Sequence, residues 1–354
     1  MSSKNRGDIM KIHGVGRLRR ALEQLRNRCA PQALILLYHR VAEESSDPWS
    51  LCVTPQHFAE HLEVLRRHTH PMHLQQLTQA LQDGKCSHRS VVITFDDGYA
   101  DNLHNAKPLL ERYDIPATVF VTTGGGGHER EFWWDELEQL LLQPGTLPET
   151  LHLGINGRTY QWELIETAYY SGDVYQHHGC WRVEEQDSPI SRHSLYYSLW
   201  QLLRPMLEGE RHKMLDELLA WAGAKPVTRP THRSLTPAEV FALGQGELIE
   251  IGSHTVTHPF LSALSTASQR EEIQQSKTCL EEIIEHPVNS FAYPYGDYTT
   301  QTVALVQEAG FAYACSTVAD VIWRRSDCFQ LPRVIVEDWD GEEFARRLEQ
   351  WFHV

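Results

Sequence analysis

An α/β barrel is the fold class this sequence predicts, and three observations carry the prediction. Short apolar runs recur along the chain, helical patterns fill the gaps between them, and three of the runs end on groups suited to chemistry. Strands buried on both faces and separated by helices make a parallel sheet, and about seven in one series favour a β/α barrel. In such barrels the chemistry sits at the C-terminal ends of the strands.

Taken in order, residues 1–13 carry no pattern, and 14–29 (GVGRLRRALEQLRNRC) read as a short helix with Leu18, Ala21, Leu22 and Leu25 on one face and arginines mostly elsewhere. Such a helix suits docking, or contact with an anionic membrane surface. Strands are expected at 33–38, 91–95, 117–122, 248–251, 290–293, 312–316 and 331–336. Helices are expected at 55–69, 74–82, 101–113, 236–244, 267–285, 299–309 and 341–352. Residues 143–235 break the rhythm. They open with a hairpin signal, Asn156-Gly157 between LHLGI and RTYQW, and continue through an aromatic loop to helical stretches near 192–206 and 210–222. The expected organisation is a basic tail and helix over 1–32 and one barrel over 33–350, interrupted by that insertion. Gly124–Gly127 reads as a loop without the Lys-Ser/Thr of a phosphate loop.

Composition narrows the function. The 354 residues carry 32 basic and 47 acidic side chains, a formal charge of −15, which argues against nucleic-acid binding through Lys/Arg–phosphate contacts. The seven cysteines form no C-x-x-C pair, so neither a disulfide framework nor a thiolate zinc site is expected. Residues 1–30 lack the apolar core of a secretion signal and no run is long enough to span a bilayer, so the expected location is cytoplasmic, with peripheral membrane contact through 14–29.

VVITFDDGYADN, residues 91–102, is the strongest motif: a strand ends on Asp96 and Asp97, and Gly98 lets the chain turn so that both carboxylates face the barrel mouth. Two carboxylates there suit one metal ligand and one base, or a helix N-cap. ELIEIGSHTVTHPFLS, residues 247–262, places His254 and His258 four apart after another strand, where one helical turn would align them as ligands for a borderline metal. SFAYPYGDY, residues 290–298, ends a third strand in a rigid Pro-Tyr-Gly turn that aims backbone N–H groups and a ring at the site.

Together TFDDG, SHTVTH and PYG resemble the three motifs of the polysaccharide deacetylases, the NodB-homology group or carbohydrate esterase family 4, over most of 33–350 apart from the insertion. The resemblance implies a distorted (β/α)7 barrel, Asp96 as base, Asp97, His254 and His258 as metal ligands, and a backbone N–H of Tyr295 for the oxyanion. The metal implied is divalent: zinc, with cobalt, nickel or iron also suited to such donors. LLYHRVAEE near the start and LPRVIVED near the end resemble a branch that serves exopolysaccharide and cell-surface glycan pathways. The expected substrate is an N-acetylated amino sugar of a bacterial surface glycan or its precursor, lipid-linked if 14–29 bind a membrane. Alternatives are a deformylase or O-deacetylase on a lipid-linked sugar, and a binding barrel without turnover.

Two positions depart from the family pattern. Ala292 stands where an arginine three residues before the motif tyrosine is usual, and Leu331-Pro332-Arg333 stands where Leu-x-His is usual. Arg333 cannot act as an acid, since a guanidinium stays protonated. It is expected instead to pair with Asp96 and lower its pKa. The acid role then falls to His39, which ends the first strand in LLYHR.

Overall fold

The computed structural model describes residues 33–124 and 130–352. The expected tail, basic helix and membrane contact over 1–32, and residues 125–127 of the glycine run, lie outside the described residues.

Seven parallel strands form the core: β1 (Ala33–Tyr38), β2 (Ser90–Phe95), β3 (Ala117–Val121), β4 (Ile249–Ser253), β5 (Ser290–Ala292), β6 (Tyr313–Cys315) and β7 (Val334–Ile335). Their spatial order is β6-β5-β4-β3-β2-β1-β7, and a two-residue strand, His70–Pro71, joins the start of β2. The sheet curls into a half-barrel, and one parallel bridge, Cys315 to Leu331, links the segment leading into β7 to the opposite edge. β1, β2 and β3 are buried throughout, as expected for strands covered on both faces. The last strand is shorter than the 331–336 run suggests: Pro332 has no N–H to donate, and regular pairing begins only at Val334.

Helices α1 (Pro55–His68), α2 (Leu74–Gln82), α3 (Lys107–Tyr113), α4 (Trp133–Leu142), α5 (Ser191–Leu203), α6 (Glu208–Ala222), α7 (Pro237–Leu243), α8 (Thr266–Ile284), α9 (Thr300–Glu308) and α10 (Gly341–Phe352) cover the sheet and the insertion. Sequence-coded caps start several of them. Thr236 and Glu239 form a reciprocal capping box around Pro237 on α7, and Ser265 accepts from Ser268 on α8. No helix among the described residues is long and apolar enough to cross a membrane.

The insertion packs a core of its own. Trp133, Trp134, Leu137 and Leu141 of α4 meet Leu195, Leu199 and Leu203 of α5, Leu215 and Leu218 of α6, and Trp181. The hairpin appears where Asn156-Gly157 places it, between strands Thr150–Ile155 and Arg158–Glu163. The strand-led reading assigns α4 to nothing, because its first turn is two tryptophans and its period is visible only over Leu137–Leu142.

His61 of α1 is fully buried between Tyr38 and α10. Its Nδ1 lies 3.3 Å from the Tyr38 hydroxyl, its Nε2 lies 2.7 Å from the Trp339 carbonyl, and its ring stacks on Phe344 at 4.1 Å. Burial holds its pKa down at about 4, only partly offset by the Trp339 carbonyl. A histidine that titrates lower folded than unfolded favours the fold above about pH 6.5 and loses that contribution as pH falls toward 4. The expected result is a loss of about 2 kcal/mol between pH 7 and pH 5. Denaturant unfolding at both pH values measures it, and an unchanged pH dependence in His61→Gln contradicts this source.

Candidate metal centre and its cavity

Backbone conformation explains how adjacent carboxylates reach one site. Asp96 continues β2, its N–H donating to the Tyr38 carbonyl at 3.0 Å. Asp97 then adopts a left-handed conformation, φ 71°, and Gly98 follows at φ 80°, which a side chain would strain. The strand's alternation of faces is broken, so both carboxylates line one cavity.

The histidine pair arrives by a different route from the one expected. Residues 254–258 form no helical turn. Thr255 at φ 67° and His258 at φ 52° reverse the chain in the left-handed region, and the loop is pinned from outside. Glu272 of α8 accepts from the Val256 and Thr257 N–H groups, both at 2.9 Å, and from the Thr257 hydroxyl at 2.7 Å. The Thr255 hydroxyl donates to the His254 carbonyl at 2.5 Å and accepts from the His258 N–H at 3.1 Å. Close packing beneath also restricts sequence: a Cβ on Gly252 would sit 2.4 Å from the Phe120 ring. Strained conformations persist where surrounding contacts over-determine them, and here they gather at one site.

Asp97, His254 and His258 each offer a ligand atom, all within 4.8 Å of one another. The Asp97 Oδ1 lies 3.6 Å from His254 Nε2 and 3.3 Å from His258 Nε2. His254 Nδ1 lies 2.8 Å from the Ala292 carbonyl, which fixes it as the protonated nitrogen and leaves Nε2 its lone pair. Burial holds the pKa of His254 down at about 4 and that of His258 at about 3, so both rings are neutral donors at pH 7. Burial pushes the Asp97 carboxyl up, His39 and His254 opposing, so a cation would relieve a poorly solvated carboxylate. Two neutral imidazoles and one buried carboxylate fit a divalent metal.

Asp96 is held differently. Arg333, fully buried, grips it with two parallel hydrogen bonds, Nη1 to Oδ1 and Nη2 to Oδ2, both 2.7 Å. Arg333 is itself fixed by its Nε on the Ser316 carbonyl at 2.8 Å and Nη1 on the Thr94 hydroxyl at 3.2 Å. Burial pushes the Asp96 carboxyl up, but the Arg333 charge, His254 and the Arg333 hydrogen bonds outweigh it and hold the pKa at about 2. Asp96 Oδ2 lies 3.8 Å from His254 Nε2, beside the metal ligands. Ala292 supplies no side-chain group here; its contribution is the carbonyl that orients His254.

His39 lines the same cavity. Burial pushes its pKa down, while Asp97 and then Asp96 pull it back. Its neighbour Arg40 turns away into structure, donating to Asp101 at 3.0 Å and lying over the Tyr99 ring. Tyr295, left-handed at φ 57°, packs its ring edge-on against His258 at 4.5 Å and stacks on Phe260 at 4.6 Å. The structure therefore brings all seven expected residues, Asp96, Asp97, His39, His254, His258, Tyr295 and Arg333, to one strand-end face; Arg333 lies beneath the cavity floor, behind Asp96.

The cavity, about 350 Å³, opens between this floor and the insertion. Trp49 and Trp200 form an aromatic wall with ring centroids 4.0 Å apart, and Trp49 Nε1 donates to the Tyr196 hydroxyl at 2.7 Å. Trp134 adds an edge 5.0 Å from the His258 ring and donates to Tyr99 at 2.8 Å, whose hydroxyl donates to Asp135 at 2.7 Å. Arg182, Glu184, Glu185, Arg204 and Glu337 make the outer rim. Trp49 and the glutamate staple Glu272 carry no motif, and only three-dimensional proximity marks them.

A family model described as polysaccharide deacetylase matches residues 83–196 and 220–314. YxkH of Bacillus subtilis is 34% identical over 143 residues, 38% of this chain and 48% of that protein. The poly-beta-1,6-N-acetyl-D-glucosamine N-deacetylase of Staphylococcus aureus is 33% identical over 110 residues, 27% of this chain and 38% of that protein. The chain thus spans less than half the length of either relative. Among solved structures, Streptococcus pyogenes deacetylase PplD in complex with acetate aligns with a TM-score of 0.55 at 17% identity, over 90% of this chain and 99% of that one. The deacetylase domain of BpsB from Bordetella bronchiseptica aligns at 0.51 and 16% identity, over 87% and 97%. At these identities the two structures speak to the fold alone.

Proposed function

The chain belongs to the polysaccharide deacetylase family, and on that premise we propose that it removes N-acetyl groups from amino sugars of a bacterial surface glycan or its precursor. The observation that carries the proposal is the buried Asp97–His254–His258 cluster beside an arginine-clamped Asp96 on the floor of one cavity. A divalent cation on the three ligands, zinc by its liking for this donor set, would polarise the acetamide carbonyl and acidify a water.

The chain's own groups then divide the work. Asp96 is the base that takes a proton from the attacking water, ionised across the neutral range because Arg333 favours its charged form. Arg333 also holds both carboxylate oxygens in one plane, so the base does not rotate away. The Tyr295 N–H donates to the developing oxyanion, its left-handed turn fixed by Pro294 and Gly296. His39, neutral at rest because burial holds its pKa down, passes the proton that Asp96 takes from the water on to the leaving amine, and the products are a free amino sugar and acetate. The test is acetate and formate release from a panel of N-acetylated, N-formylated and O-acetylated sugars, with and without chelator. Acetate from N-acetyl sugars, abolished by chelation and restored by Zn²⁺ or Co²⁺, is the expected outcome. Formate or ester-derived acetate alone would reassign the acyl group, and no release from any sugar would leave a binding barrel.

The aromatic wall suits sugar-ring stacking, with the insertion acting as one side of an acceptor site. Trp49→Ala is expected to raise KM for oligosaccharides by about tenfold, with little change for monosaccharides, consistent with a loss of about 1.4 kcal/mol per stacked ring. Equal effects on short and long substrates would leave Trp49 and Trp200 as packing for the insertion.

A further inference from the structure

Beside His258 lies a second cavity of about 170 Å³, lined by Phe132, Trp133, Trp134, Val256 and residues of helix α6. Arg211 of α6 enters it and is only 2% exposed. Its Nη2 reaches the Thr257 carbonyl at 3.3 Å, and its guanidinium lies 5.2 Å from the centroid of the Trp133 ring. Among the described residues its Nε and Nη1 are buried without a partner, as is the Nδ1 of His258, a residue that lines the same cavity. Among the described residues Glu208 also lines the cavity yet leaves both arginine nitrogens unpaired, and Glu131 is taken up by Arg229 at 2.7 Å.

Buried donors left unpaired are costly, more so on a charged group, so the two free arginine nitrogens in one cavity are an unmet demand for an acceptor. Metal-bound histidines as a rule donate their second nitrogen to a carboxylate, a carbonyl or water. Burial pushes the Arg211 guanidinium down from its usual value, with Tyr295, Glu208 and Glu272 opposing, as expected of a cation short of counter-charge.

We propose that this cavity binds a small carboxylate of the size of acetate, its oxygens accepting from Arg211 and from His258 Nδ1–H and its methyl group lying against Trp133. A carboxylate supplies several acceptor lone pairs for the free N–H groups, and the aromatic walls suit a short apolar tail. The donor state of His258 Nδ1 rests on the metal reading above; the two arginine nitrogens do not. The bound carboxylate would hold the His258 ring, so Arg211 is a positioning residue of the insertion for a ligand of the barrel.

The test titrates sodium acetate, against sodium chloride at equal ionic strength, into the full chain free of metal and loaded with zinc, by calorimetry. The proposal expects saturable binding in the metal-free protein and in Asp97→Asn, weakened about tenfold or more in Arg211→Met. An NOE from the acetate methyl to the Trp133 ring in the wild-type protein gives the same answer if Arg211→Met does not fold. No binding in the metal-free protein, equal binding in a folded Arg211→Met, or binding only with zinc and lost in Asp97→Asn would each overturn it. Failure of the deacetylase reading registers separately, as absent zinc uptake or absent acetate release with acetate binding intact.

Discussion

Asp96→Asn is expected to lower acetate release by roughly 10²–10⁴-fold with metal content unchanged, the loss typical of removing a positioned general base. The substitution keeps shape and removes the charge. It also leaves Arg333 buried without its counter-ion, and breaking one side of such a pair costs about 3–5 kcal/mol of stability. Activity and stability therefore have to be separated. Asp96→Asn with Arg333→Met removes both charges, and should recover much of the stability while recovering none of the activity. Metal content by elemental analysis and acetate release on the same samples decide the matter. Near wild-type release by folded, metal-loaded Asp96→Asn would remove Asp96 from the role of base.

Arg333→Met is expected to move the acidic limb of the pH–rate profile upward and to cost stability. The sign follows from the pair. Burial alone pushes the Asp96 carboxyl above its ordinary value, and the Arg333 charge and hydrogen bonds bring it down to about 2. With the guanidinium gone, the carboxylate that must be ionised to accept a proton ionises at higher pH. In the wild type, the pair's contribution is present above about pH 4, where the unfolded carboxyl titrates, and is lost as pH falls toward 2. Arg333→Lys, which keeps the charge and loses the planar two-point grip, should leave the limb lower than Arg333→Met does. His39→Ala separates the other half of the proton traffic. It should slow substrates with poor amine leaving groups while metal content stays constant. An unmoved limb together with full activity in His39→Ala would send both roles to other residues.

Much of this site is legible in the sequence because strand ends are. Apolar runs that stop at Asp96-Asp97, at Ser253-His254 and at Tyr293-Pro294 mark three strand tips of one sheet, and parallel topology brings such tips to one face. The Arg333–Asp96 pair is also legible, since an arginine replaces histidine at a position bound for the same face. Other features are not. The spacing of His254 and His258 suggests a helical turn, but left-handed conformations at Thr255 and His258 do the work, stabilised by Glu272 from the α-helix that follows. Residue spacing carries no record of that contact. Arg211 reads as one of several charges on an amphipathic helix, and only packing of the insertion against the loop of His258 buries it. The helix Trp133–Leu142 escapes because it joins the insertion's core, so its apolar positions answer to partners from outside the barrel pattern.

Metal stoichiometry measured beside acetate release in wild type, His254→Ala and His258→Ala tests the central claim most directly. The wild-type chain should bind one divalent ion per molecule and lose activity in step with its removal by chelator. Each alanine variant should bind that ion far more weakly and release acetate at background. Full acetate release by a metal-free wild-type protein, or tight stoichiometric metal in His254→Ala and His258→Ala, would contradict the assignment of Asp97, His254 and His258 as the catalytic metal site.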